Sequence, residues 1–256
     1  MTGRKRFYKQ VGIITMDSGS GFQVTLDGKT LRTPARRPLV LPNLELSLAL
    51  ASEWDAQLDP RKGLEPATMP ITQLVFTAID QIEIAPGPTR RVCLSYLPTD
   101  TALFFASGDE RTLLGKQKQH LQPLLRWMQR TFGVELSTSQ GTFAGRLQHP
   151  QESLDKVDFI VSQLDPMALA VLQSVTMECK SLVMALAYVF RQISMQQLKV
   201  VSRLEEEFQV EVWGVVEGGH DMDRLNNSIA LAAADTLIRL HWRAEDFRRV
   251  LHACKR

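Results

Sequence analysis

The chain has 256 residues, 44% of them hydrophobic and 23% charged, which is typical of an ordinary globular protein that buries one large core or two modest ones. Its formal net charge of +2 is too small to indicate binding to nucleic acid or to a membrane surface. The three cysteines, Cys93, Cys179 and Cys254, are widely spaced, which argues against a metal-ligand pair or a disulfide framework and favours a reducing compartment.

The first 41 residues have the pattern of a small antiparallel sheet. Apolar and polar residues alternate in 11–15 and 22–26, and the glycine- and serine-rich stretch between them predicts a turn. Asp27-Gly28 predicts a tight turn into 29–33, because both residue types tolerate positive φ. Residues 39–41 are expected to add another short strand.

Helical spacing begins after Pro42 and predicts helices over 44–58, 71–82 and 89–97. The proline-rich stretch 59–70 between the first two is expected to be a loop, and Pro86-Gly87-Pro88 is expected to break the chain before the third. A strand over 101–106 closes this part.

From Asp109 onward nearly every segment has helical spacing. Helices are predicted over about 109–132, where Pro123 is expected to kink or split the helix, and over 150–163 and 195–208. The most apolar stretch, 167–190, contains two charged residues, so it predicts a buried helix pair or one long core helix without membrane insertion.

A last long helix is predicted after residue 221. Its apolar positions recur at helical spacing and are Leu225, Ile229, Ala233, Leu237 and Leu240. The predicted fold class is therefore α+β, with a small N-terminal antiparallel sheet and helices over 1–108 and an all-helical C-terminal bundle over 109–256.

The segment from Trp213 to Asp221 concentrates groups that are common at functional sites. Trp213 offers an aromatic anchor, Gly214 allows a turn, and Glu217, His220 and Asp221 add acidic and imidazole groups. These residue types fit either a metal or acid–base site or a protein-docking site. The segment by itself leaves both interpretations open.

An enzyme is the alternative interpretation, as a metal-dependent hydrolase that uses His220, Asp221 and Asp223. Such a site needs a further histidine upstream, and His120 and His149 lie in no carboxylate-rich context. The sequence also contains no Gly-x-Ser-x-Gly motif and no phosphate-binding loop. The enzyme interpretation therefore has weak support.

Two other features have a structural and a functional interpretation. The run Glu205 to Glu207 is typical of a solvated helical face, yet one of these carboxylates could contact a partner or pair with Arg203. Trp54 lies between charged residues on an otherwise apolar helix. It is expected to be a core or interdomain residue.

Several motifs are similar, in order and spacing, to those of one chaperone family. The N-terminal motifs are 5–9, 26–34, 51–55 and 68–70, and the C-terminal motifs are 202–207 and 213–221. This order resembles that of the Atp-twelve assembly chaperones, which bind the free α subunit of the catalytic head of the F-type ATP synthase. The resemblance covers about residues 5–240, almost the whole chain.

The resemblance implies an assembly chaperone with no catalytic activity and no cofactor, which acts by nucleotide-independent binding. The free protein is expected to be a monomer. It places the family's functional glutamate on Glu217 and the family's helix tryptophan on Trp54, for which a structural role is expected. Gly214 is expected to be structural as well. The residues expected at the partner-binding surface are Glu217, His220, Asp221, Trp213, Glu205 and Glu206. A general holdase without client preference is the third alternative.

The cellular compartment is inferred from the same motif. Gly218-Gly219 resembles members from plants and algae, which predicts a mitochondrial matrix protein, with the bacterial cytoplasm as the alternative. Residues 1–6 are too short for a transit peptide, so any such leader is expected to be absent from this chain.

Overall fold

The computed structural model describes residues 6–16, 19, 21–57, 63–141, 145–214 and 221–254. It has a small antiparallel sheet at the N-terminus followed mostly by helices, so the predicted α+β class is confirmed. Strand β1 (Val11–Thr15) pairs with β2 (Phe22–Leu26), and β2 pairs with β3 (Lys29–Thr30). The described helices follow as α1 to α11.

The Asp27-Gly28 turn forms as predicted. Both residues have positive φ, 48° and 78°, and the pairing of Leu26 with Lys29 makes this a two-residue hairpin. The carboxylate of Asp27 also accepts hydrogen bonds from the backbone N–H groups of Lys9 and Gln10, at 2.9 and 2.8 Å. The predicted strand over 39–41 is shorter than expected, because only Leu41 pairs with β2, through Phe22.

Three helices complete the N-terminal part. They are α1 (Leu44–Asp55), α2 (Pro70–Thr77), which continues as a π-helical turn over Ala78–Ile82, and α3 (Pro86–Leu94). The expected break before the third helix lies at 83–85, and Pro86-Gly87-Pro88 form the first turn of α3 instead of preceding it. A proline in the first helical turn loses no hydrogen bond, because the first N–H groups of a helix have no partner inside it.

The remaining elements are mostly helices. They are β4 (Phe104–Phe105), α4 (Arg111–Phe132), β5 (Ser139–Gln140), α5 (Gln151–Ser162), α6 (Pro166–Cys179), α7 (Leu182–Val189), α8 (Met195–Val201), α9 (Leu204–Trp213), α10 (Asp221–His241) and α11 (Ala244–Ala253). Strands β4 and β5 form a two-stranded parallel pair. The predicted strand over 101–106 is therefore reduced to two residues.

Three expected helical segments can be compared with the structure, and for the long apolar stretch the predicted helix pair is confirmed. Helix α4 is not split at Pro123, which lies on its exposed side. The long apolar stretch forms two helices, because Lys180 has a φ of 52° and Ser181 then caps α7 by accepting a hydrogen bond from Met184 N at 3.0 Å. The helix predicted over 195–208 is also two helices, α8 and α9.

The core is centred on α6 and α7. Every residue of α7 is buried, and α6 packs against α7, α10, α3 and α2. Buried side chains from the sheet to α11 belong to one contiguous apolar cluster. No helix of the described residues is long and apolar enough to span a membrane. The boundary near residue 108 stays a prediction.

Candidate docking surface

Helix α9 carries two of the predicted partner-binding carboxylates, and Glu205 has a structural contact. Its Oε1 accepts a hydrogen bond from Gln117 Nε2 at 2.9 Å, and Gln117 Oε1 accepts one from Ala106 N at 2.7 Å. Gln117 is fully buried, and burial raises the pKa of Glu205 even though the hydrogen bond from Gln117 opposes the shift. Glu205 therefore connects α9 to α4 and to the end of β4.

Glu206 pairs with Arg203, the residue that directly precedes α9. Its carboxylate accepts hydrogen bonds from Arg203 Nε and Nη2 at 3.2 and 3.3 Å, and Glu207 lies 3.8 Å from the same guanidinium. Lys116 of α4 pairs with Glu211 at 2.7 Å. Glu207 and Glu211 have more exposed side chains than Glu206, and a role of Glu205 or Glu206 in binding stays a prediction.

The segment from Trp213 to Asp221 joins α9 to α10. The backbone of Trp213 ends α9, and Gly214 follows with a φ of 82°, while its N–H donates to Val210 O at 2.9 Å. This positive φ favours glycine at position 214, in line with the expected structural role. Glu217 and His220 lie outside the described residues, as do the side chains of Trp213, Asp221 and Asp223. Their assignments to partner binding stay predictions.

Trp54 lies in a cluster that brings two of the sequence motifs together, 5–9 and 51–55. Its side chain is buried, its carbonyl accepts a hydrogen bond from the Tyr8 hydroxyl at 2.6 Å, and the two rings are 5.8 Å apart. Among the described residues the buried Nε1 of Trp54 has no hydrogen-bond partner. Arg6 adds a contact to the Asp55 carboxylate at 3.3 Å. This geometry supports the structural role that we expect for Trp54.

Glu53, beside Trp54, has a role that the sequence analysis missed. Its carboxylate accepts hydrogen bonds from Ile71 N at 2.8 Å and from the backbone N–H and hydroxyl of Thr72 at 2.7 Å. It therefore caps the N-terminus of α2 from a different helix. Burial raises the pKa of Glu53, although the hydrogen bonds from Ile71 and Thr72 lower it in part. The signal was the carboxylate inside an apolar helix, but its partner could not be identified from spacing.

An apolar groove lies between α2, α6 and α10 and has a volume of about 350 Å³. Leu74, Ser174 and Ile229 are among its lining residues. Two side chains of the predicted apolar stripe of α10, Leu225 and Ile229, are 54% and 41% exposed, whereas Leu237 is fully buried. The apolar stripe therefore belongs to the core only in the second half of α10. In the first half its side chains are partly exposed on the protein surface.

No group of three or more histidine, cysteine, aspartate or glutamate side chains within the described residues is arranged to hold a metal ion. The sequence-based hydrolase alternative required such a group around His220, Asp221 and Asp223.

Comparisons with known proteins bear on identity. The family model described as ATP12 chaperone protein matches residues 5–129. The chain is similar to the crystal structure of Atp12 from Paracoccus denitrificans, with a TM-score of 0.76 and 28% identity over 97% of this chain and 98% of that one. The chain belongs to the ATP12 chaperone family. As a member of that family it is an assembly chaperone.

Two further proteins extend the comparison for this ATP12-family chain. The crystal structure of the Atu1473 protein from Agrobacterium tumefaciens has a TM-score of 0.80 and 30% identity, and the match covers 92% of this chain and 85% of that one. The mitochondrial protein atp12 of Schizosaccharomyces pombe is 28% identical over 240 residues, which are 90% of this chain and 81% of that one. The metal-dependent hydrolase alternative finds no support in these relatives.

The match to the ATP12 family model can be placed on the fold. Residues 5–129 include the sheet, the cluster around Trp54 and most of α4, whereas the segment from Trp213 to Asp221 lies outside them. The structural matches, in contrast, cover nearly the whole chain. The family model therefore covers the N-terminal motifs, and the structural matches add the part of the chain that contains the residues predicted to bind the partner.

Proposed function

We propose that this ATP12-family chaperone binds the free α subunit of the catalytic head of the F-type ATP synthase. It covers the subunit interface of that client until β subunits take its place. It acts as a monomer by stoichiometric binding, without catalysis, ATP or another cofactor. Its location is the mitochondrial matrix, with the bacterial cytoplasm as the alternative.

The similarity to Atp12 of Paracoccus denitrificans over 97% of the chain is the observation that carries this proposal. The exposed apolar side chains of the groove are consistent with this chaperone function. A free subunit of an oligomer exposes apolar surface that its neighbours later cover, and a chaperone needs a preformed apolar surface to shield it reversibly. A polar or acidic rim would limit the affinity, so that the larger native interface can replace the chaperone.

The test mixes the purified protein with separately produced ATP synthase α and β subunits in nucleotide-free buffer. Size-exclusion chromatography with light scattering then measures the mass of each complex. We expect a complex of one chaperone with one α subunit, no complex with β alone, and release of the chaperone when β is added to the first complex. Absence of a complex with α, or equal binding of α and β, would contradict the proposal.

Glu217 is the first residue to test within this function. We propose that its carboxylate contacts the client or holds the segment between α9 and α10 in its binding geometry, so Glu217→Lys should weaken α-subunit binding at least tenfold. Glu211→Lys is the matched control, because Glu211 is an exposed carboxylate of α9 whose partner is a surface lysine. Equal affinity of the two variants would remove Glu217 from the interface.

A further inference from the structure

The groove between α2, α6 and α10 is built by two antiparallel helices and one shorter helix. Asp165 at the start of α6 contacts His241 at the end of α10, with 2.9 Å between Oδ1 and Nε2. At the other end, Asn227 Nδ2 donates to Glu178 Oε2 at 2.9 Å. These two contacts fix α6 and α10 side by side in opposite directions, and α2 packs against both of them.

Exposed apolar side chains continue the groove toward the start of α10. Met177 lies three residues after the lining residue Ser174 on α6, and Leu225 lies four residues before Ile229 on α10, so each shares a helix face with a lining residue. Met177 is 50% exposed and Leu225 is 54% exposed. Glu178, next to Met177, contacts Asn227, which lies two residues after Leu225. Met177 and Leu225 are therefore at the same end of the groove. The apolar surface is therefore larger than the groove itself.

The chemistry of the lining restricts what the groove can bind. Its described lining residues are all uncharged and combine aliphatic groups, such as Leu74 and Ile229, with hydroxyl and amide side chains, such as Ser174 and Asn226. A larger cleft of about 640 Å³ between α7 and α10 has a charged lining, which includes Arg191, Asp235 and Arg239. An ionic group that entered the uncharged groove would lose water without gaining a counter-ion, which is costly.

We infer that this groove, defined by Leu74, Ser174, Asn226, Ile229 and Ala233, is the docking site for an uncharged, apolar segment of the client α subunit. The inference rests on the proposed function and specifies the part of the client that is held. The aliphatic lining buries apolar side chains of the segment, and the amide and hydroxyl groups hydrogen-bond its backbone. A volume of about 350 Å³ suits a few side chains of one segment.

Charged substitutions in the groove, at Ile229, and in the adjoining apolar surface, at Leu225, test this inference. Leu225→Asp and Ile229→Asp place a carboxylate in the apolar surface, and both positions are exposed enough to leave folding intact. We expect each to weaken α-subunit binding at least tenfold, measured by titration calorimetry. Phe159→Asp is the matched control, because Phe159 is 48% exposed and lies on α5, whose main packing partner is α3. It should bind like the wild type.

The outcomes separate this inference from the proposed function. If wild-type protein binds the α subunit and Leu225→Asp and Ile229→Asp bind it equally well, the groove is not the docking site and the proposed function stands. If wild-type protein binds no α subunit, the function and the inference both fail. Circular dichroism of each variant confirms that the fold is kept.

Photo-crosslinking identifies the occupant directly. A benzophenone amino acid at position 177 is irradiated in the complex with the α subunit, and mass spectrometry locates the crosslink, with position 159 as the control. We expect a crosslink to an uncharged apolar segment of the α subunit from position 177 and none from position 159. A crosslink to a second copy of this chain, or to a charged client segment, would overturn the inference.

Discussion

Trp54 and Asp100 are both buried, but Trp54 contributes to stability by packing, whereas the contribution of Asp100 depends on its charge. Trp54 fills apolar space beside Tyr8 and makes its polar contact through the backbone carbonyl. Asp100 is a fully buried carboxylate that accepts hydrogen bonds from Ala102 N and Val183 N, both at 3.0 Å. Substitution at the first therefore tests packing, and substitution at the second tests charge.

Trp54→Arg should strongly destabilise the protein. The change removes a large buried ring and introduces a charge into buried apolar space, so we expect a loss of more than about 3 kcal/mol of unfolding free energy. Urea denaturation measures it. Leu48→Arg on the same helix is the control, since Leu48 is 51% exposed and its replacement should cost under about 0.5 kcal/mol. A Trp54→Arg protein of normal stability that fails to bind the α subunit would make the indole a contact residue.

Asp100 should make stability depend on pH between about 4 and 6. Burial raises the pKa of Asp100 to about 6, although the hydrogen bonds from Ser181, Val183, Ala102 and Leu182 oppose the shift. Because the pKa in the folded state is higher than in the unfolded state, the folded state binds more protons in this window, and its stability rises as pH falls.

The comparison is between wild type and Asp100→Asn, by urea unfolding from pH 4.5 to 7.5. The asparagine cannot ionise, so the wild type should gain stability relative to the variant as pH falls, by at most about 1.4 kcal/mol per pH unit. Glu53 and Glu205 have raised pKa values too and are present in both proteins. Parallel pH profiles would show that Asp100 does not titrate in this range.

At the scale of elements, helix ends were the least predictable feature. Periodicity predicted the helices themselves, but a helix ends where a local conformation allows it, as at Lys180, whose positive φ is unusual for a lysine. At Pro123 a helix end was expected and none occurs. Helix α4 has one strongly buried face and continues through this exposed proline. Tertiary packing decides such cases, since it stabilises a helix by more than a single residue's propensity.

The cap on α2 is a prediction at this scale. Glu53→Ala should lower the unfolding free energy by about 1–2 kcal/mol, because the N–H groups of Ile71 and Thr72 lose their acceptor. Chemical denaturation measures the loss. Asp55→Ala is the matched control on the same helix, where the exposed carboxylate pairs with Arg6 and contributes under about 1 kcal/mol. Equal losses for the two variants would contradict the capping role.

At the scale of the whole molecule, the packing of α2 and α3 on α6 connects the sheet-containing part to the helical part. One apolar cluster contains buried side chains of both parts. We therefore expect one cooperative unfolding transition for the full chain, with fluorescence and circular dichroism giving the same midpoint. Two separate transitions, or cooperative folding of residues 109–256 alone, would support a boundary near residue 108 between independent domains.

The sequence by itself determined the fold class, the hairpin at Asp27-Gly28, most helices and, through ordered motifs, the family. These features depend on local periodicity, turn chemistry and residue order, all of which are present in the amino-acid sequence. Only the tertiary structure decided that Glu53 caps α2, that Glu205 contacts Gln117, and that Leu225 and Ile229 face outward. The physical reason is that apolar spacing marks one face of a helix, while packing against other helices decides whether that face is covered.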